Sequence, residues 1–254
     1  MKNIIISEYE RTFKRKKTMI GLAIYGCVLA FECFFLYAMG GLSFYDPEHS
    51  VQLNSINTAP FLLRELGIFL HFILIPIFVV DSFSGEYSSG ALRLVLIRPQ
   101  KRLKILLAKW LVQASFVMAI MLVTWLVGTI FGMISMPYVE ETTFYETGPM
   151  NAFYGMLYTL LFYGLATFIM MGVIGLCSLM SMLLPNPILA FAGTVAALIG
   201  SLYVHDVFEY FLTSDAIFKI LGEQRGEFYI SLFLIIVISC MMNVKIWQKK
   251  QWIG

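Results

Sequence analysis

The sequence predicts an all-α membrane protein, and two observations lead to that prediction. Hydrophobic residues make up 59% of the 254-residue chain and charged residues only 13%, which is more apolar surface than a water-soluble domain of this length needs. Most of the apolar residues lie in six stretches, and a helix needs about 20 such residues to cross the roughly 30 Å hydrocarbon layer. Backbone groups in lipid must be paired internally, so each stretch is expected to be a helix. The predicted spans of this single transmembrane domain are residues 18–40, 61–80, 105–135, 152–184, 187–204 and 228–247.

The lysines and arginines predict which side of the membrane each connection occupies. They are concentrated before the first span, between the second and third spans, and after the sixth. Lys109 and Lys245 lie just inside the adjoining ends of the third and sixth spans, and only Arg64, Lys219 and Arg225 lie elsewhere. Connections rich in these residues stay in the cytoplasm, so both termini are expected to be cytoplasmic. The asymmetry indicates membrane topology and does not indicate nucleic-acid binding.

Residues 1–17 are predicted to form a helix that lies on the inner membrane surface. Ile5, Tyr9 and Phe13 recur at four-residue spacing, and charged residues occupy much of the remaining surface. Such an amphipathic pattern, with basic residues facing anionic headgroups, is typical of interfacial helices. The helix either serves only as a topology anchor or also contacts a cytoplasmic partner.

The segment 205–227 is predicted to contain two short helices on the outer side. An apolar group ends at Leu212 and another begins at Ile217, and Ser214 and Asp215 between them are suited to cap the second helix. Neither piece is long enough to span a membrane. The segment is expected either to re-enter the outer leaflet under a cover of protein or to rest on the bilayer surface.

The sequence contains no motif that indicates a catalytic or metal site. The GxxxxGK[ST] pattern of a phosphate loop is absent, as are HExxH and GxSxG. The three histidines are scattered, and the four cysteines lie within predicted spans without a CxxC arrangement. The chain is therefore expected to have no catalytic residue and no metal site of its own.

Two ionisable residues inside predicted spans are candidates for a transport pathway or its gate. Glu32 lies in the first span and His71 in the second, which runs in the opposite direction, and at about 1.5 Å per residue their depths roughly coincide. A charge inside a membrane is costly and usually has a partner or lines a pathway. The alternative is a neutral, locally bonded Glu32 and a His71 that is an ordinary packed residue.

The connection between the second and third spans is charged, yet Leu92 and Leu96 occur in it at helical spacing. Gly85 and Gly90 permit sharp turns before these leucines, and Pro99 stops a helix after them. Residues 84–97 are therefore predicted to form a short amphipathic helix parallel to the membrane. A helix of this kind, held between two spans, is suited to docking with a cytoplasmic protein.

This connection resembles the same region of the membrane subunits of type-2 ABC exporters. Their pattern is a Gly-Glu pair, a Gly-small-Leu step four residues on, then Leu, Pro, Arg and a Lys that enters the third span. The matching residues are Gly85, Glu86, Gly90, Ala91, Leu92, Leu96, Pro99, Arg102 and Lys109. Ala91 stands where Thr is common in the family. The resemblance implies that 84–97 is a cytoplasmic coupling helix, and that its ATPase-coupling residues are Gly85, Glu86, Gly90, Leu92, Arg93 and Leu96.

The resemblance also implies partners and a cofactor. A transporter of this family contains two permeases, identical or homologous, and two ABC ATPase subunits. No cofactor is expected on this chain, because ATP and magnesium would bind to the ATPase partner. The chain is accordingly expected to be a transporter subunit of the bacterial cytoplasmic membrane and not an enzyme.

Within that family the chain is similar to small permeases of Gram-positive bacteria that export, or give immunity to, bacitracin, lantibiotics and phenol-soluble modulins. This likeness implies export of an amphipathic peptide or antibiotic from the cell or from the inner leaflet. Aromatic residues such as Tyr154, Tyr158, Phe162 and Phe168 would suit such a substrate, although these residues more often pack against helices or lipid. The alternatives are export of a lipid or another small hydrophobic compound, or a non-transporting assembly or sensor protein.

Overall fold

The computed structural model describes residues 1–39, 43–46, 49–92, 101–145, 147–184, 186–211, 214–223 and 226–250. This part of the chain is almost entirely helical, with two small antiparallel hairpins. The hairpins pair β1 (Ser43–Asp46) with β2 (His49–Gln52), and β3 (Glu141–Thr142) with β4 (Met150–Asn151). The helices are α1 (Lys2–Phe13), α2 (Lys16–Ala38), α3 (Thr58–Ser88), α4 (Arg102–Ser135), α5 (Ala152–Leu183), α6 (Pro187–Leu202), α7 (Asp215–Glu223) and α8 (Gly226–Lys249), with a 3-10 helix at Asp206–Phe211 before α7.

Helices α2, α3, α4, α5 and α8 are long and apolar enough to cross a membrane. Each of the six predicted spans overlaps a helix, but α6 has only 16 residues, fewer than the roughly 20 that a crossing requires. The fold is therefore that of an all-α, multi-pass membrane protein. The crossing by α6, and with it the six-span topology, stays a prediction.

Helices α3 and α5 form the centre of the bundle. In their most apolar stretches 67% and 61% of the residues are buried, against 17% in α2 and 22% in α8. A Cβ atom on Gly128 of α4 would lie 2.9 Å from the Cα atom of Ala59. The backbones of α3 and α4 thus approach each other more closely than a side chain at position 128 would permit.

Asparagine side chains begin two of the helices. The Oδ1 atom of Asn151 accepts a hydrogen bond from the Tyr154 amide at 3.0 Å at the start of α5. At the start of α6 the Oδ1 atom of Asn186 accepts one from the Ile188 amide at 2.9 Å, with Pro187 in the first turn. Asparagine satisfies otherwise unpaired amides at a helix start, and proline is tolerated there because it has no N–H to leave unpaired.

The predicted N-terminal helix is shorter than expected and packs against the bundle. Helix α1 ends at Phe13 rather than at residue 17, and α2 begins at Lys16 after an extended Arg15 (φ −77°, ψ 129°). The Phe13 ring lies 5.9 Å from the ring of Phe116 on α4. The Glu8 side chain, expected on the charged surface, is 1% exposed.

Helix α3 contains two π-helical segments, Leu70–Leu74 and Asp81–Gly85. Pro76 follows the first of them, and a proline has no N–H to bond the carbonyl four residues earlier, here that of Phe72. The wider π turn accommodates this missing bond. Segments of this type often occur at functional sites, and these two contain His71 and Gly85.

The segment between α6 and α8 packs against the bundle rather than standing apart from it. Helix α7 begins at Asp215, directly after Ser214, as the capping residues predict. The buried ring of Phe218 lies 5.1 Å from that of Phe61 on α3 and 4.6 Å from that of Phe162 on α5. The Nε atom of Arg64 lies 2.6 Å from the Oδ1 atom of Asp215. These contacts place the segment against α3 and α5.

The first and last described residues, Met1 and Lys250, lie at one end of the bundle, here called the termini end. There the Lys250 Nζ atom donates a hydrogen bond to the carbonyl oxygen of Met182 near the end of α5. The Ser84 hydroxyl donates to the carbonyl oxygen of Leu184 at 3.3 Å. The end of α3, the start of α4 and the ends of α5 and α8 therefore meet at this end.

Candidate functional site: an ion cluster at the termini end

The residues of the predicted coupling helix begin on the last turns of α3. Gly85 and Glu86 belong to this helix, which continues to Ser88. The chain then turns at Gly90, whose φ of +75° is a conformation that favours glycine. Residues 91 and 92 are again helical, whereas Arg93 and Leu96 lie outside the described residues. Residues 84–88, predicted as the start of the coupling helix, are thus the last residues of α3, and the chain turns after them.

Gly85 does not form the turn that the sequence predicts for it. It lies at the end of the second π-helical segment, inside a continuous helix. A Cβ atom at this position would lie 2.9 Å from the Oδ1 atom of Asp81. The absence of a side chain therefore leaves space for the Asp81 carboxylate one turn earlier.

Glu86 and Leu92 point into the chain. Their side chains are 3% and 1% exposed, and Leu92 belongs to the apolar core. Both were expected to couple the ATPase to the spans, and in the described structure both pack against other parts of this chain. The physical reason for the burial of Glu86 is a set of cations on three other segments, which compensate its charge.

Lys109 of α4 is the most buried of these cations, with no exposed surface. Its Nζ atom lies 2.6 Å from the Oε2 atom of Glu86 and 2.8 Å from the Oε1 atom of Glu8. It also donates a hydrogen bond to the carbonyl oxygen of Ser82 at 2.8 Å. An ammonium group has three protons, and all three have acceptors here. Lys109 therefore joins α1, the end of α3 and the start of α4.

Arg15, between α1 and α2, provides a second connection. Its guanidinium donates to the Asp81 carboxylate at 2.9 Å and to the carbonyl oxygen of Asp81 at 3.1 Å, and it also bonds Glu86. Burial by itself would lower the pKa of Arg15, but the charges of Glu86 and Asp81 outweigh it and raise the pKa above its ordinary value. Arg15 thus stays charged at any physiological pH.

Arg11 of α1 completes the group. It bonds Glu8 within α1, and its Nη1 atom lies 3.6 Å from the Oε2 atom of Glu86. We call the six residues the ion cluster: Glu8, Arg11, Arg15, Asp81, Glu86 and Lys109. Three acidic residues face these three basic ones, and the exposed Lys17 adds a fourth cation 2.9 Å from Asp81, so every acidic charge is balanced. Balance of this kind is what permits ions to be removed from water, because an unpaired buried charge is very costly.

The roles of Glu8 and Lys109 in this cluster do not follow from the sequence patterns. The amphipathic pattern of α1 places Glu8 among its charged residues, and the family pattern includes Lys109 without giving it a role. One signal was available for Lys109, since it lies within a predicted span and a cation at such a position needs a partner. No comparable signal identified Glu8, whose burial depends on how α1 docks against α4.

The family model of ABC-2 family transporter proteins matches residues 10–196 of the chain. The chain belongs to this family. The match includes Asp81, Glu86 and Lys109 and extends from α1 into α6. Comparison with curated proteins finds no match.

As an ABC-2 permease, the chain is the membrane component of an ABC transporter, a class that works with a separate ATPase subunit. Among the described residues, no group of histidine, cysteine, aspartate and glutamate is arranged to hold a metal ion. The chemistry that the ion cluster can perform is electrostatic. It can transmit a displacement of one helix to the others through charged hydrogen bonds, which are stronger than neutral ones.

The two candidate pathway residues of the permease are not joined to each other. His71 is buried in the first π-helical segment, where its Nδ1 atom lies 2.8 Å from the carbonyl oxygen of Gly67. Within the part of the chain that the structure describes, its Nε2 atom has no hydrogen-bond partner. Glu32 is partly exposed on α2. No described hydrogen bond or ion pair connects Glu32 with His71.

The aromatic residues of α5 face in two directions. Tyr158 and Phe162 are buried in the core, whereas Tyr154 and Phe168 are more than half exposed. Packing therefore accounts for the first two. The other two lie on the surface of the isolated chain, where lipid, a second permease or a substrate can reach them.

Proposed function

We propose that this permease forms the membrane-spanning part of an ATP-driven exporter that moves an amphipathic peptide or antibiotic out of the cell or out of the inner leaflet. ATP and magnesium bind to a separate ABC ATPase, and a second permease, either a copy or a homologue, completes the pathway. The observation that carries the proposal is the position of Glu86, from the Gly-Glu pair of the coupling segment (residues 84–97), inside the ion cluster. A transporter must convey events on its ATPase to its spans, and this cluster connects the coupling segment to the spans.

The termini end is the cytoplasmic end in this proposal. The positively charged connections support that orientation. They include Lys14, Lys16 and Lys17, which continue the basic stretch beside the ion cluster, and Lys101 at the start of α4. The ATPase docks at this end, against the turn at Gly90 and the residues that follow it, including Arg93 and Leu96.

Glu86 acts in this proposal by positioning other elements. Movement of the coupling segment displaces Glu86, which is bonded to Arg15 and to Lys109. The bond to Arg15 reaches the start of α2. The bond to Lys109 reaches α4 and, through Glu8, also α1. Leu92, packed in the core, keeps the segment against the bundle during that movement. Coupling between two sites requires an element that both of them influence, and the coupling segment meets that requirement.

Glu32 and His71 line or gate the pathway in the same proposal, although the described contacts do not pair them. Support comes from their polarity inside apolar spans. The unpartnered Nε2 atom of His71 is a further argument, because a buried polar atom without a partner is costly and is seldom kept without a role. The π-helical segment around His71 is a second unusual feature at the same point of α3.

The test is copurification followed by transport. The full-length permease, tagged at its C-terminus, is purified from membranes of its own host, and a protein with a phosphate loop is expected to copurify. Reconstituted into vesicles, the complex should move a labelled lantibiotic-type peptide when ATP is supplied. Absence of an ATPase from the purified material would contradict the exporter assignment, and an ATPase without peptide movement would contradict the substrate class alone.

A matched pair of variants tests the coupling part of the proposal. Glu86→Gln removes the charge that Lys109 and Arg15 bind, and ATP-driven transport is expected to fall about tenfold or more, since a paired charge loses several kcal/mol of interaction. Glu10→Gln on the same face of the membrane serves as the control, because its side chain is 60% exposed and its one ion pair among the described residues is with Lys14. Equal transport by the two variants would rule out coupling through Glu86.

A further inference from the structure

The end of α8, together with Lys250 after it, contacts the chain on both sides of the connection between α3 and α4. The Trp247 Nε1 atom donates a hydrogen bond to the carbonyl oxygen of Arg102, the first residue of α4, at 2.9 Å. The Arg102 guanidinium in turn donates to the carbonyl oxygen of Lys250 at 3.5 Å. On the other side of the connection, the Lys250 Nζ atom lies 5.3 Å from the centre of the Tyr87 ring, one residue before the end of α3. Residues 247–250 therefore join the end of α3 to the start of α4.

Trp247 has an unusual position for a tryptophan near the end of a span. Tryptophans there are usually found at the membrane boundary, where the ring lies among lipid headgroups. The Trp247 side chain instead has no exposed surface. Its ring meets that of Phe83 edge to face, with 6.2 Å between the ring centres, and the Nζ atom of Lys109 lies 5.6 Å from the centre of the Phe83 ring. Trp247 is thus packed beside the ion cluster rather than against lipid.

Lys250 is bound to two groups of the chain, although it follows the last helix. Its ammonium donates to the carbonyl oxygen of Met182 at 2.5 Å and lies over the ring of Tyr87. A cation within about 6 Å of an aromatic ring centre is attracted by the negative face of the ring. The neighbouring Lys249 is exposed, as expected for a lysine that extends from a span toward water or headgroups. The two adjacent lysines therefore provide a matched comparison.

We propose that Trp247 and Lys250 form a clasp, here called the α8 clasp, that positions the coupling segment for the ATPase. The inference rests on the proposed function, in which the ATPase docks against the turn at Gly90 and the residues that follow it. The α8 clasp fixes Tyr87 before that turn and Arg102 after it. A segment that is already held in place loses less conformational entropy when it binds a partner. Trp247 and Lys250 are therefore positioning residues, which act without contact with the ATPase.

The first test measures the α8 clasp without the ATPase. Spin labels are attached to a full-length Ser88→Cys, Lys101→Cys protein whose four natural cysteines are replaced, and electron paramagnetic resonance gives the distance between the labels. Both labelled positions are exposed. We expect a narrow distance distribution in this protein. It should become broader after Lys250→Met, and after Trp247→Phe, which keeps an aromatic ring but removes the N–H donor. The control Lys249→Met should leave it narrow. Equal distributions in all these proteins would overturn the α8 clasp, whatever the protein transports.

The second test measures the positioning role. The ATPase that copurifies with the unmodified permease is titrated against each variant in detergent. We expect Lys250→Met to bind it about five- to tenfold more weakly, the size of a lost, partly buried cation–π contact. Lys250→Arg should restore most of the affinity, because a guanidinium also binds carbonyl oxygens and aromatic rings. The unfolding temperatures of these variants should stay close to that of the unmodified permease. A parallel fall in unfolding temperature and affinity would indicate a merely structural contact and refute the positioning role.

The outcomes separate this inference from the proposed function. Absence of an ATPase contradicts the proposed function and removes the role of the α8 clasp, while the spin-label distances still show whether the α8 clasp exists. An ATPase that binds Lys250→Met and Trp247→Phe as tightly as the unmodified permease overturns the positioning role and leaves the exporter assignment intact.

Discussion

The ammonium group of Lys109 lies 2.6 Å from the Oε2 atom of Glu86, although the two residues come from different helices and both are almost fully buried. A pair of this kind adds little net stability compared with apolar packing, because both ions lose their hydration. Removing one partner is a different matter, since the buried charges that remain are then no longer balanced. The ion cluster is therefore sensitive to single changes in a way that surface ion pairs are not.

Lys109→Met keeps the length of the side chain and removes its charge. Glu8 and Glu86 would both lose their main partner, and we expect a loss of about 3–5 kcal/mol in the free energy of unfolding. The measurement is thermal unfolding of the purified protein in detergent. Lys104→Met, on the exposed surface of the same helix, should change the unfolding temperature little. Similar values for the two variants would mean that the buried pair is not formed.

Glu8→Gln and Glu86→Gln should have effects that do not add. Both carboxylates bind the same Nζ atom, so either change already disturbs the shared contact. We expect the double variant to lose less stability than the sum of the two single variants, by about 0.5–3 kcal/mol. Unfolding in detergent gives the four free energies of the cycle. Strict additivity would show that α1 and α3 do not meet through Lys109.

In contrast to the Glu8 and Glu86 variants, Glu32→Gln and His71→Gln should have effects on transport that simply add. Residues that share no contact or partner usually act independently, and no described bond joins these two. Each change is expected to lower ATP-driven transport while leaving the amount of inserted protein unchanged. Transport equal to that of the unmodified protein in both variants would exclude the pair from the pathway.

The orientation of the termini end can be tested by labelling. In a protein whose four cysteines are replaced, a cysteine at Glu141 should react with an impermeant thiol reagent applied to intact cells, because that hairpin lies at the end opposite Lys101. A cysteine at Lys101 should react only after the cells are opened. The reverse pattern would place the ion cluster outside the cell.

Much of the architecture could be predicted from the sequence because it depends on local patterns. Apolar length identified the helices, and the residues Ser214 and Asp215 located the start of α7. The docking of α1 could not be predicted in this way. The spacing of Ile5, Tyr9 and Phe13 is equally compatible with lipid and with protein, and only the position of α4 decides that Glu8 turns inward.

The candidate site, too, could be predicted only where it depends on local patterns. The family pattern located Gly85, Glu86 and Lys109, since all three are close in sequence to a recognisable turn. The contact between Glu86 and Lys109 lies directly after the second π-helical segment of α3, and the sequence contains no simple signal for such a segment apart from Pro76 beside the first. Arg15 belongs to the cluster because the chain between α1 and α2 is extended at this residue. A run of basic residues in the sequence does not predict that conformation.

The two π-helical segments of α3 enclose a short stretch, Ile75–Val80. Each segment contains one residue more per turn than the α-helix around it, and such an extra residue can pass along a helix by exchanging one hydrogen bond at a time. If a segment shifts, the residues that it passes rotate about the helix axis while the two ends of α3 stay in place. The second span can thus present a different set of side chains to its neighbours without sliding through the membrane or breaking its contacts at either surface.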